Sequence, residues 1–116
     1  MAFRIKRVYE APAAEDGTRV LVDRLWPRGV AKDKAKLDDW LKEVAPSPAL
    51  RTWFGHLPEH FAEFSDRYIA ELQGNAAVAE LRKRGRGQTV TLLYGARDPE
   101  INHAVVLQKV LRGKAA

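Results

Sequence analysis

A single α/β domain is the fold this sequence predicts, with a small, mostly parallel sheet of about three to four strands and helices packed on its faces. Three observations lead to it. Two apolar runs, residues 19–25 and 88–95, have the composition of buried strands. The stretch between them carries apolar residues at helical spacing, and another helical pattern follows the second run. The resulting order of strand, strand, several helices, strand, helix suits a sheet with helices on its faces. The 116 residues form one domain, 1–116, with enough chain for one core.

The elements follow in order. Phe3 and Ile5 alternate with Arg4 and Lys6 and run on toward Val8 and Tyr9, a strand with one polar face and therefore an edge position. Residues 10–18, EAPAAEDGT, turn the chain. They exceed the usual length of a hairpin loop, which leaves a parallel arrangement open beside the hairpin. Residues 19–25 form a second, more central strand. From Asp33 to Ala45 the spacing of Leu37, Trp40, Leu41 and Val44 predicts a helix. Ser47 can cap the next one with Pro48 in its first turn, followed by Leu50, Trp53, Phe54 and Leu57 on one stripe. Phe61, Phe64, Tyr68 and Leu72 mark a longer helix closing at Gly74, and Asn75 caps a short one containing Val78 and Leu81. TVTLLY, residues 89–94, reads as a strand covered on both faces. Asp98 and Pro99 then open a last helix with Ile101, Ala104, Val105, Leu107, Val110 and Leu111 as its packing residues.

Composition excludes several classes of chemistry. There is no cysteine, which removes disulfides, thiolate nucleophiles and thiolate metal sites. The start, MAFRIKRVYE, has no apolar stretch of signal-peptide length, and no run approaches the ~20 apolar residues of a membrane span, so a cytoplasmic protein with no membrane partner is expected. The formal charge of +5 and pI near 9.7 favour phosphate-bearing partners, although a charge of this size also serves solubility alone.

If the two apolar strands are parallel neighbours, the polar residues that follow each of them meet at the carboxyl edge of the sheet, where open α/β folds bind ligands. That places Asp23, Arg24, Trp26 and Arg28 beside Tyr94, Arg97, Asp98, Asn102 and His103. Arg24, Arg28 and Arg97 offer the forked cation that suits phosphate or carboxylate, and the start of the last helix adds its positive dipole end. Plainer readings stand beside these. Asp98 is a helix cap, Trp26 is better explained by packing than by stacking, and Asp23 with Arg24 or Arg28 could be a structural ion pair. His103, in the first turn of a helix, could also simply face solvent.

His56-Leu57-Pro58-Glu59-His60 matches the letters of an HxxEH zinc motif, but that chemistry needs both imidazoles on one continuous helix. Pro58 interrupts it, so His56 belongs to a linker and His60 to the next helix, and no metal or other cofactor is expected. The run from Arg82 to Arg86 could grip a nucleic-acid backbone, yet cations also suit the end of the helix it follows. Gly85-Arg86-Gly87 is no phosphate loop, since it leads into a strand and lacks the required lysine.

The segments DGTRVLVDRLWPRG, LDDWLKEVAPSPALRTWFGH and VTLLYGARDPEINHAVVL resemble the YeaO-like branch of a bacterial family of domains of unknown function, number 488, over nearly the whole chain. The resemblance implies a compact α/β protein of the bacterial cytoplasm and brings no established reaction. It also implies that Asp23, Arg24, Pro27 and Arg28 are the counterparts of an aspartate, arginine and proline that follow the family's early strand. The wider family commonly ends its late strand in a cysteine and carries a second cysteine and a histidine in the following helix. Here those places are held by Tyr94, Asn102 and His103, so the histidine is kept while both thiols are missing.

These readings converge on a site for an anionic small ligand, a nucleotide or another phosphate-bearing metabolite. Arg24, Arg28 and the helix start would hold the anion. If hydrolysis or group transfer occurs, Asp23 would act as general base or nucleophile and His103 as proton donor, with Tyr94 and Asn102 orienting the substrate. The rival is a non-catalytic module that uses its basic surface on nucleic acid or protein. Aromatic residues such as Trp40, Trp53 and Phe54 could serve either a core or an interface between copies.

Overall fold

A computed structural model describes residues 2–113. Its four strands, β1 (Phe3–Arg7), β2 (Thr18–Leu21), β3 (Asp39–Trp40) and β4 (Val90–Tyr94), form one sheet in the order β1-β4-β2-β3. Every pairing is parallel, with Phe3 opposite Val90, Thr18 opposite Val90 and Val20 opposite Asp39. Five helices accompany it: α1 (Lys32–Ala35), α2 (Pro48–Phe54), α3 (Phe61–Leu72), α4 (Ala76–Arg84) and α5 (His103–Arg112). The expected α/β class is therefore observed, with β1 at the edge and β2 and β4 in the centre. Among the described residues no helix is long and apolar enough to cross a membrane.

Strand alternation divides the apolar residues between two faces. Val20, Val22, Val90, Leu92 and Tyr94 enter the helix-covered core with Phe54, Phe64, Tyr68 and Leu107. Leu21, Leu93 and Val8 face the other way, where Trp26, Val30, Leu37 and Trp40 cover them without a long helix. Covering both faces explains why all five residues of β4 are buried and all but Thr91 are hydrophobic; Thr91 satisfies its hydroxyl by donating to the Asp16 carbonyl at 2.7 Å.

The N-terminal end of β2 is tied down by a buried ionic knot. Asp16, its side chain 2% exposed, accepts hydrogen bonds from Lys6 Nζ at 3.1 Å and the Ala13 amide at 3.0 Å, and pairs with Arg19. Arg19 also donates to the carbonyls of Ala35 and Lys36 at 2.8 and 3.1 Å, so one guanidinium joins β2 to the end of α1. Gly17, with φ of 63°, lets the chain enter β2 where a Cβ would stand 2.3 Å from the Thr89 carbonyl oxygen.

Two expected elements are corrected. Residues 33–45 are not one helix: α1 ends at Ala35 with Lys36 left-handed just beyond it, β3 follows, and Lys42–Val44 form a 3-10 turn. The Asp38 and Leu41 amides instead donate to the Arg19 and Leu21 carbonyls at 2.8 and 2.9 Å, closing the open edge of β2. The helical spacing misleads because its residues serve two faces, Leu37 and Trp40 on one and Leu41 and Val44 on the other. The last helix starts at His103 and is capped by Asn102, not Asp98. Asp98 does accept two amides, those of Glu100 and Ile101, but in a turn ahead of the helix, and Val106 rather than Val105 points into the core. The caps at Ser47 and Asn75 are as expected, their side chains accepting from the Leu50 and Ala77 amides.

Candidate functional site

The chain leaves β2 toward β3 on one side, while after β4 it leads into α5, which packs on β1 and β4 on the other. The crevice therefore opens beyond the carboxyl ends of β2 and β4, where the two connections diverge. A cleft of about 500 Å³ lies there, within the size range of small-molecule sites. One wall is the segment Asp23–Arg28, the second is Ala45-Pro46 with Arg51 and His56, and Asn102-His103 lies with Gly95 and Ala96. Phe54 and Phe64 contribute apolar surface.

Asp23 is a structural hub. Its Oδ2 accepts from the Gly95 amide at 2.9 Å, and its carbonyl accepts from Trp40 Nε1 at 2.6 Å. A Cβ at position 95 would stand 3.0 Å from Asp23 Oδ2, so the bare backbone of Gly95 permits this approach. Arg7 supports the same turn from β1, donating from Nε to the Ala96 carbonyl at 2.8 Å. The other oxygen of Asp23, Oδ1, lies 3.2 Å from His103 Nε2 yet is buried without a hydrogen-bond partner, because Nε2 serves the Val22 carbonyl at 3.1 Å. Asp23 thus pairs with neither Arg24 nor Arg28.

Arg24 is half-buried and held by donation from Nε and Nη2 to the carbonyls of Pro46 and Ala45, at 3.2 and 3.1 Å. Those carbonyls orient the guanidinium and leave its charge unneutralised. Arg28 is exposed, its carbonyl accepting from the Tyr9 hydroxyl at 2.8 Å. Among the described residues Arg24, Arg28 and Arg51 form no ion pair, and Asp23 is the single carboxylate on the lining beside five basic side chains.

The remaining sequence candidates separate. Trp26 lines the cleft, but its Nε1 donates to Val30 at 2.7 Å and its ring meets Trp40 edge-on at 5.3 Å, which is packing. Asn102 is buried and committed, accepting from the Val105 amide at 3.0 Å and donating to the Asp98 carbonyl at 2.7 Å. Tyr94 is buried and absent from the lining; burial and then Glu10 push its hydroxyl above the ordinary value, against the opposing influence of Arg7 and Asn102. Arg97 is exposed and does not line the cleft. His56 lies in the linker, and it lines the cleft. His60 stands just ahead of α3, with Nδ1 3.0 Å from the Trp53 carbonyl and its ring stacked on Trp53. Among the described residues no cluster of three or more His, Cys, Asp or Glu could hold a metal. In the basic run, Arg84 pairs with Asp39 and Glu80, and Arg82 donates to the Val110 carbonyl at 2.8 Å.

Arg51 and His56 were missed from sequence. They come from α2 and the linker after it, and nothing in their local spacing ties them to β2.

A family model described as the inactive DUF488-N3 subclade matches residues 2–116. The chain belongs to the DUF488 family. Two relatives match it almost end to end. The uncharacterised protein Rv3073c of Mycobacterium tuberculosis is 48% identical over 111 residues, 96% of this chain and 94% of the relative. The uncharacterised protein YeaO of Escherichia coli is 43% identical over 116 residues, 97% and 98% of the two chains. No solved structure matches significantly.

Proposed function

We propose that this DUF488 protein binds a small anionic metabolite in the cleft between β2 and β4, without turning it over. The observation that carries the reading is the charge imbalance: Arg24, Arg28 and Arg51 converge on one cleft, and among the described residues no carboxylate neutralises any of them. Unpaired forked cations favour phosphate or carboxylate, and α5 starts at the same edge with its positive dipole end. Binding is preferred to catalysis for three reasons. The matching family model is described as an inactive subclade, and the chain has no thiol. In addition, Asn102 is spent as a helix cap and cannot orient a substrate. The hydrolase or transferase reading rests on Asp23 and His103, 3.2 Å apart, as a proton-transfer pair.

Arg28 and Arg51 are exposed and can be replaced without disturbing the core. Titration calorimetry with nucleotides, sugar phosphates and simple anions is expected to find a ligand that binds the wild type and loses roughly tenfold affinity or more per arginine in Arg28→Ala and Arg51→Ala. Binding indifferent to both substitutions sinks the reading. Binding of oligonucleotides alone, with a steep loss on adding salt, would favour the basic-surface alternative.

A further inference from the structure

Among the described residues, two of the three exposed large hydrophobic side chains lie where the charged ones do. The three are Leu25, 58% exposed, Tyr9, 46%, and Leu57, 43%. Leu25 and Tyr9 both line the cleft, and Leu57 follows directly on His56, which lines it too. Exposed apolar surface in a cluster, beside a concave site, marks contact with an apolar partner. Phe54 and Phe64, stacked with centroids 4.1 Å apart, extend that surface into the cleft.

Tyr9 is also fixed in place. Its hydroxyl donates to the Arg28 carbonyl at 2.8 Å, and the Arg7 guanidinium stands 4.7 Å from its ring centroid. A half-exposed tyrosine anchored at its tip and backed by a cation is a rigid platform that loses little freedom when a planar group settles on it. Since its hydroxyl is bonded to Arg28, the platform adjoins the segment that carries the anion-binding arginines. A cleft of about 500 Å³ is also far larger than a bare inorganic anion needs.

Resting on the anion-binding reading above, we infer that the ligand is an amphipathic anion: a phosphate or carboxylate head held by the arginines, joined to a planar aromatic body that lies on Tyr9 and Leu25. A mononucleotide has this chemistry. A purely polar sugar phosphate does not, because it would leave the apolar rim in water.

The test uses two phosphate monoesters of equal charge, phenyl phosphate and methyl phosphate, titrated calorimetrically into the wild type and into Leu25→Ser and Tyr9→Ser variants. Leu25 is so exposed that its replacement leaves the fold intact. Phenyl phosphate is expected to bind at least tenfold more tightly than methyl phosphate to the wild type. That preference, the ratio of the two affinities within one protein, should fall about threefold in each variant. Equal binding of the two esters to the wild type overturns the inference and leaves the anion site standing. A preference that survives both substitutions unchanged also overturns it. Failure of both esters to bind removes the inference together with the anion site.

Discussion

Two aspartates flank β2, and their surroundings differ. Asp16, ahead of the strand, has every carboxylate oxygen engaged by Lys6, Arg19 or the Ala13 amide, in a side chain 2% exposed. Asp23, beyond the strand, has a side chain 19% exposed and leaves Oδ1 without a donor beside three arginines that form no ion pair among the described residues. An unsatisfied buried acceptor costs about 1–3 kcal/mol, so the second arrangement is poor as pure architecture. The difference separates an end of the sheet whose polar groups are all engaged from an end whose polar groups are left uncommitted, and the same substitution is expected to have opposite consequences at the two.

The largest effect is expected from Asp16→Asn. It removes the counter-charge from Arg19, whose side chain is 6% exposed, and from the partly buried Lys6, leaving two cations that shared one carboxylate without it. Breaking a buried pair on one side costs roughly 3–5 kcal/mol, and urea unfolding should show a loss of about 3 kcal/mol since asparagine keeps some of the hydrogen bonds. A loss below about 1 kcal/mol would mean that the knot does not anchor β2.

The same knot shapes the acid limb of stability. Burial opposes ionisation of Asp16, but the Ala13 amide, Lys6 and Arg19 outweigh it and hold the carboxyl below 3.8. Asp39 is lowered as well, chiefly by its hydrogen bond with Arg84, although its 35% exposed side chain makes the contribution smaller. A carboxyl depressed in the folded state binds fewer protons there than when unfolded. Its stabilisation is therefore complete above the unfolded value and disappears as pH falls through the folded one. Denaturant midpoints measured downward from pH 5 should decline for the wild type below about pH 4 and decline less steeply for Asp16→Asn. Parallel curves would assign the acid limb to other groups.

The sheet was readable because its central strands advertise themselves: Val20-Leu21-Val22 and, with Thr91 as the one polar member, Val90 to Tyr94 carry hydrophobic residues on both faces, and only a covered strand needs that. The short β3 was not. Its two residues pair with β2 because an edge was open, and a helical spacing hid them. At the cleft, Asp23, Arg24, Trp26, Arg28, Asn102 and His103 could be brought together by placing polar residues after parallel strands, and all six line it. Tyr94 could not be judged this way, since inward or outward orientation at the last residue of a strand depends on register. Arg97 fell outside because the turn ahead of α5 runs longer than the Asp-Pro signal indicated. Arg51 and His56 were beyond reach, as their position depends on how α2 packs across the crevice.

The smallest effect on stability should come from Asp23→Asn, and it sharpens the contrast most. The asparagine oxygen can take the Gly95 amide that Oδ2 now accepts, and the Trp40 indole bonds to a backbone carbonyl that the substitution leaves alone. What is lost is an oxygen that had no hydrogen-bond donor to begin with. Stability should change by less than about 1 kcal/mol, against the loss of about 3 at Asp16. The cleft meanwhile loses its single negative charge while keeping its arginines. Phosphate esters should therefore bind the variant at least as tightly as the wild type, by a factor that shrinks with added salt. A proton-transfer pair demands the reverse, since neutralising the base would erase activity while leaving affinity nearly untouched. Comparing phosphate affinity with phosphatase turnover in this one variant therefore separates a binding cleft from a reaction site, and does so in a protein whose fold is undisturbed.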